Sequence, residues 1–214
     1  IPDLIIELVN RGKISEKRIN TSVRRILKDK FRLGLFENPF VDETKALSIS
    51  RDKDIIEKAL EAQRKSVVLL KNDKILPLKK GKKLYVEGFT NHKLFADFGE
   101  LVRDVNKAEI IIKRIKTPYE KRNNFFLENF FRQGRLYYSE EEKKEIFSLI
   151  NKKPSIVVVN LERPAILTDI NDKSRSLLAE FGSSDQAIID IIFGKFNPEG
   201  KLPFELPLSQ KAVE

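Results

Sequence analysis

The chain has 214 residues, 41% hydrophobic and 34% charged, and its 41 basic residues outnumber 32 acidic ones for a net charge of +9. It has no cysteine and one histidine, His92, which excludes disulfides, thiol catalysis and thiolate or multi-histidine metal sites. No apolar run approaches the ~20 residues of a membrane span, and the basic residues are interleaved with acids, as on solvated helix faces, so neither a membrane nor a nucleic-acid partner is expected.

The composition is that of a soluble globular protein, long enough for one domain or one plus a piece of another. It does not assign a compartment. "IPDLIIELVNRGK" is amphipathic and lacks the basic and apolar blocks of a signal peptide. Methionine is absent and the sequence opens at Ile1, so it is expected to begin inside a longer polypeptide.

In chain order, "PDLIIELVNRG" predicts a short helix closed by Gly12. "SEKRINTSVRRILKDKFRLG" predicts a second, capped by Ser15 and stopped at Gly34, with Ile19, Val23, Ile26, Leu27 and Phe31 on one face. "LFENPFVDETKALS" is an extended connector. A helix over "RDKDIIEKALEAQRKS" leads into the strand "VVLLKND". Further strands follow at "KKLYVEGF", "ELVRDV" (short) and "AEIIIKRIK". "SEEEKKEIFSLINK" is a helix with a Ser139–Glu142 capping box. "PSIVVVNLE" and "SRSLLAEF" are strands, "SSDQAIIDIIFG" a helix, and "FNPEGKLPFELP" a proline-broken loop or edge strand. Strands alternating with helices predict an α/β fold with a mostly parallel sheet covered on both faces. Residues 1–45 read as a leftover or linker and 46–214 as one doubly wound domain.

Ligands in such sheets bind beyond the C-terminal strand ends. The candidate loops follow "VVLL", "KLYVEG", "EIIIKRI", "SIVVVN" and "LLAEF". Only the stretch from about Lys116 to Tyr138 is long, and loops beyond ~12–15 residues are usually functional or disordered. Its aromatics argue against disorder. It is either a structural flap or a segment that presents polar groups, among them Glu120, Lys121, Arg122, Glu128, Arg132 and Gln133, to a partner. "FGSSDQ" could hold an anion at a helix N-terminus, although an ordinary N-cap accounts for it. His92, in "GFTNHKLF", reads as a surface-loop histidine. Arg163-Pro164 and Gly200-Leu202-Pro203 read as fold-defining turns, the glycine relieving backbone strain.

Four segments, in order along the chain, carry a family resemblance: "RINTSVRRILKDKFRLGLFENPFVDE", "EAQRKSVVLLKNDKILPL", "SIVVVNLERPAIL" and "SSDQAIIDIIFGKFNPEGKLPFELP". Together they resemble family 3 glycoside hydrolases. The resemblance implies a three-layer α/β/α sandwich with a roughly six-stranded sheet, preceded by the helical end of a TIM-like barrel. Some ~200 or more residues of barrel would lie upstream.

The resemblance also implies a reaction: removal of terminal sugars from β-glycosides with retention, by two carboxylates and without metal or cofactor. The nucleophile would be an Asp in a Ser-Asp-Trp-like barrel motif; tryptophan is absent here, so that Asp lies outside this chain. In many members the general acid/base is a Glu shortly after a Pro-Tyr-like step. "TPYE" matches, making Glu120 the first candidate. The following residues depart from the Gly-Asp or Asp-Arg step of relatives, which makes Glu128, among phenylalanines, the second. Some branches place this role on the barrel instead. Arg132 could bind sugar hydroxyls or form a salt bridge. The partners implied are a carbohydrate substrate and the N-terminal barrel; glucose, xylose and N-acetylglucosamine all stay open.

Overall fold

The computed structural model describes residues 1–121, 125–129 and 131–213, with Glu128 and Asn129 described by backbone alone. They form two compact units, Ile1–Asp52 and Lys53–Glu214. The first is helical: α1 (Pro2–Asn10), α2 (Glu16–Arg32) and the short α3 (Ala46–Ser50). Ser15 caps α2, its hydroxyl accepting the Arg18 N–H at 3.2 Å. The apolar stripe of α2 stays exposed, with Val23, Ile26 and Phe31 all accessible. Because α3 belongs to this unit, the division falls after Asp52, whereas the sequence pattern places it near residue 45.

The second unit opens with α4 (Lys53–Ser66) and β1 (Val68–Asn72). Then come β2 (Lys82–Glu87), β3 (Gly99–Leu101), β4 (Ile110–Lys116), α5 (Glu140–Ile150), β5 (Ser155–Asn160), α6 (Thr168–Lys173), β6 (Ser176–Glu180) and α7 (Asp185–Ile192). The strands form one six-stranded sheet, ordered β1-β6-β5-β4-β2-β3. All neighbours are parallel except β1, which runs antiparallel to β6 with Val68 opposite Ala179. This corrects one sequence expectation. The loop after "VVLL" leaves from the opposite end of the sheet and is not a candidate binding loop.

The two-residue period of the strands separates two cores. Ile110, Ile112, Ile156, Val158 and Leu178 face Ile188, Ile189 and Ile192 of α7. Val157, Val159, Leu177 and Ala179 face Ile146 and Ile150 of α5 and Ile170 of α6. Burial on both faces explains why these strands read as continuous apolar runs. α4 lies beside α7, tied by Arg64 Nε to Asp190 Oδ2 at 2.8 Å. The Ser139 capping box forms at α5, with Ser139 N–H donating to Glu142 Oε2 at 2.6 Å and Glu142 N–H to Ser139 Oγ at 3.2 Å. Gly200 has a different basis from the one expected. Its backbone has no left-handed φ; a Cβ there would lie 2.5 Å from the Val67 carbonyl oxygen. Close approach, not strain relief, requires glycine.

Candidate active site

Strand order reverses between β2 and β4, which makes their C-terminal ends the crevice where open α/β sheets bind ligands. One side of that edge is occupied by the chain itself. Glu180, fully buried at the end of β6, accepts from Arg114 Nε and Nη2 at 3.1 and 2.7 Å. Its other oxygen accepts the N–H groups of Gly182 and Ser183 at 2.6 and 2.7 Å. Arg114 Nη1 donates to Asp185 Oδ1 at 2.9 Å. Asp185 Oδ2 takes the Thr90 and Asn91 N–H groups at 2.9 and 2.7 Å. The anion slot suggested by "FGSSDQ" is thus filled by the carboxylate of Glu180. Ser184 caps α7, accepting the Ala187 N–H at 3.4 Å. His92 lies exposed in a single 3-10 turn.

The long loop leaves β4 on the other side. Its neck is closed where Thr117 N–H donates to Asn160 O at 3.0 Å and the buried Tyr138 hydroxyl donates to Lys116 O at 2.8 Å. Burial, reinforced by the charge of Glu142, pushes the Tyr138 phenol well above its ordinary pKa. Further out, Glu120 N–H donates to Gln133 O at 2.8 Å, joining the outgoing and returning arms. Next to Gln133, Gly134 has φ +79, and a Cβ there would lie 2.4 Å from Glu120 Cβ and 2.5 Å from its Oε2. Only glycine fits.

The returning arm is gripped by the loop after β5. Arg132 Nε pairs with Glu162 Oε2 at 2.9 Å, and Arg163 Nη2 donates to Gly134 O at 2.7 Å. The Arg132 guanidinium also sits 5.1 Å from the Tyr119 ring centre. The Nη1 atoms of Arg132 and Arg163 are buried without a hydrogen-bond partner among the described residues.

Of the sequence candidates, Glu120 and Arg132 therefore share one loop, with the Glu120 residue exposed and the Arg132 side chain largely buried. Glu128 lies in a 3-10 turn, Phe126–Asn129, and its side chain is outside the described residues. The loop aromatics divide: Tyr138 packs in the core, whereas Phe125 and Phe126 stay 75% and 72% exposed. Arg163, read from sequence as part of a turn, is the residue that sequence reasoning missed. The signal was available in the strand order, because β4 and β5 are neighbours and their loops must meet. Among the described residues, no group of three or more His, Cys, Asp or Glu could hold a metal, and no helix is long and apolar enough to cross a membrane.

The family model for the glycosyl hydrolase family 3 C-terminal domain matches residues 96–214. The chain belongs to glycosyl hydrolase family 3. It is 41% identical to Beta-glucosidase C of Emericella nidulans, covering 100% of this chain and 35% of that protein. Against a periplasmic beta-glucosidase/beta-xylosidase of Dickeya chrysanthemi it is 38% identical, over 98% of this chain and 33% of the relative. It thus spans about a third of the length of the curated relatives it matches. The fold is shared with beta-glucosidase 3B of Thermotoga neapolitana, solved with alpha-D-glucose, at a TM-score of 0.66 and 18% identity, covering 96% of this chain and 38% of that one.

Proposed function

We propose that this chain is the C-terminal part of a retaining, exo-acting β-glycosidase, to which it contributes the loop bearing the general acid/base, Glu120. The observation that carries this reading is the placement of Glu120: an exposed residue beyond the C-terminal end of β4, on an arm joined to Gln133 and packed against Gly134, which Arg163 holds from the next loop. In such a reaction the acid protonates the leaving glycosidic oxygen and later activates water. The nucleophile would come from an N-terminal barrel, and Ile1–Asp52 would be the end of that barrel. Arg132 and Tyr119 would meet sugar hydroxyls and a ring face. Glu128 is the second candidate for the acid.

The names of the relatives support a β-glucoside as substrate, and that of the Dickeya chrysanthemi protein also supports a β-xyloside. The test is turnover of aryl β-glucosides and β-xylosides. The 214 residues alone should be inactive, and turnover should appear on adding the upstream segment. It should be lost with Glu120→Gln but not Glu128→Gln. Turnover by the fragment alone would refute the split site. Unchanged kcat in Glu120→Ala of the full-length protein would favour a non-catalytic stabilising or carbohydrate-binding module.

A further inference from the structure

We infer that Arg163 is a positioning residue for Glu120, acting through the Gly134 carbonyl; this rests on the reading of Glu120 as the general acid/base. Glu120 is exposed, so burial does not fix its carboxylate. Two of its contacts are with the returning arm: its own N–H on Gln133 O, and the close face of Gly134 against its Cβ and Oε2. That arm is itself held on both flanks of Gln133. Arg132 is paired with Glu162, and Gly134 O accepts from Arg163.

Glu162 and Arg163 are consecutive residues on one loop, so one dipeptide after β5 grips the arm on both flanks of Gln133, while Arg135 and Leu136 anchor it further along. The bond to Gly134 O is the described hydrogen bond of this guanidinium, and its Nη1 is buried unpaired. A buried unpaired donor is unfavourable, and an apolar side chain would fill the same space without it. The arginine therefore belongs with the loop it holds. A general acid must come within ~2.6–3.2 Å of the oxygen it protonates, and a shift of about 1 Å costs on the order of 10²-fold in rate. Releasing Gly134 O loosens that arm at the residue that abuts Glu120.

The test uses the full-length protein and two aryl glycosides of the sugar it turns over. A phenyl glycoside needs protonation of its leaving group; a 2,4-dinitrophenyl glycoside does not. Glu120→Gln should lose about 10²–10⁴-fold in kcat/KM, which reports the glycosylation step, on the phenyl substrate and less than ~10-fold in kcat/KM on the dinitrophenyl one, whose kcat falls because Glu120 also activates the water of the second step. Arg163→Met should show the same selectivity in kcat/KM at about 10–10²-fold, with a near-normal dinitrophenyl kcat/KM reporting an intact fold. Arg163→Lys keeps one donor for Gly134 O and should recover most of that loss. If Arg163→Met does not fold, Arg163→Gln, too short to reach, takes its place. Equal losses on both substrates, no loss on either, or a lysine no better than methionine would overturn the positioning role while leaving Glu120 in place. A Glu120→Gln enzyme without selectivity would instead overturn the acid/base reading beneath it.

Discussion

Two clusters of arginine and carboxylate stand at the same end of the same sheet, and they are finished differently. Around Glu180, each carboxylate oxygen of the Arg114–Glu180–Asp185 group accepts at least one hydrogen bond, and all three guanidinium nitrogens of Arg114 donate. Around Glu120, Arg132 and Arg163 each keep a buried Nη1 without a partner among the described residues, and the Glu120 residue is exposed. The first arrangement has the form of a lock that ties the β2, β4 and β6 ends together. The second leaves two guanidinium nitrogens without a partner among the described residues. Residue type and location do not separate them; the use of their donors does.

The contrast can be broken by substitution. Glu180→Ala should have the largest effect on stability, about 3–5 kcal/mol, because it strips a part-buried guanidinium of its buried partner and orphans two N–H groups. Urea unfolding of the full-length protein measures it. A mild loss of stability coupled to a loss of turnover confined to poor leaving groups would erase the distinction between the two clusters. Gly88→Ala comes next, at about 1–3 kcal/mol. Its φ is +84, and the new Cβ would lie 2.1 Å from Arg114 O.

Tyr138→Phe should cost about 1 kcal/mol through the lost bond to Lys116 O. It also changes the alkaline limb. The folded-state pKa of Tyr138 is raised above its unfolded value near 10. The stability it confers is therefore complete below pH 10 and is lost as pH rises through the folded pKa. The wild type should lose more stability than Tyr138→Phe between pH 9 and 11, read as a difference in unfolding midpoint. Smallest is Arg132→Met. Its partner Glu162 is nearly half exposed, so stability should fall by under ~1 kcal/mol. KM should rise about tenfold, the equivalent of one good hydrogen bond. An unchanged KM would place Arg132 among the structural arginines.

Much of this architecture is legible in residue patterns. The strands announce themselves because burial on both faces demands uninterrupted Val, Ile and Leu. Ser15, Ser139 and Ser184 cap helices as their spacing implies. α6 was invisible because "TDINDK" is short, polar and without helical period. The reversed direction of β1 was invisible for another reason: apolar periodicity is the same read either way. In the candidate site, loop length points to the segment after β4, and the family resemblance through its Pro-Tyr-Glu step makes Glu120 the candidate within it. The contacts around it could not, since Gly134 and Arg163 meet only across a fold that brings distant segments together. Arg163 reads as a turn residue until β5 is placed beside β4.

The pairing of β1 with β6 has a consequence for synthesis. Val68 waits for Ala179, about 110 residues later in the chain. At ~5–20 residues per second, the strand leaves the ribosome about 5–20 s before its partner. Through that interval the Val-Leu-Leu edge is an unpaired template for other nascent chains, and long-range pairing of this kind also slows folding. The sheet closes last where it was begun first.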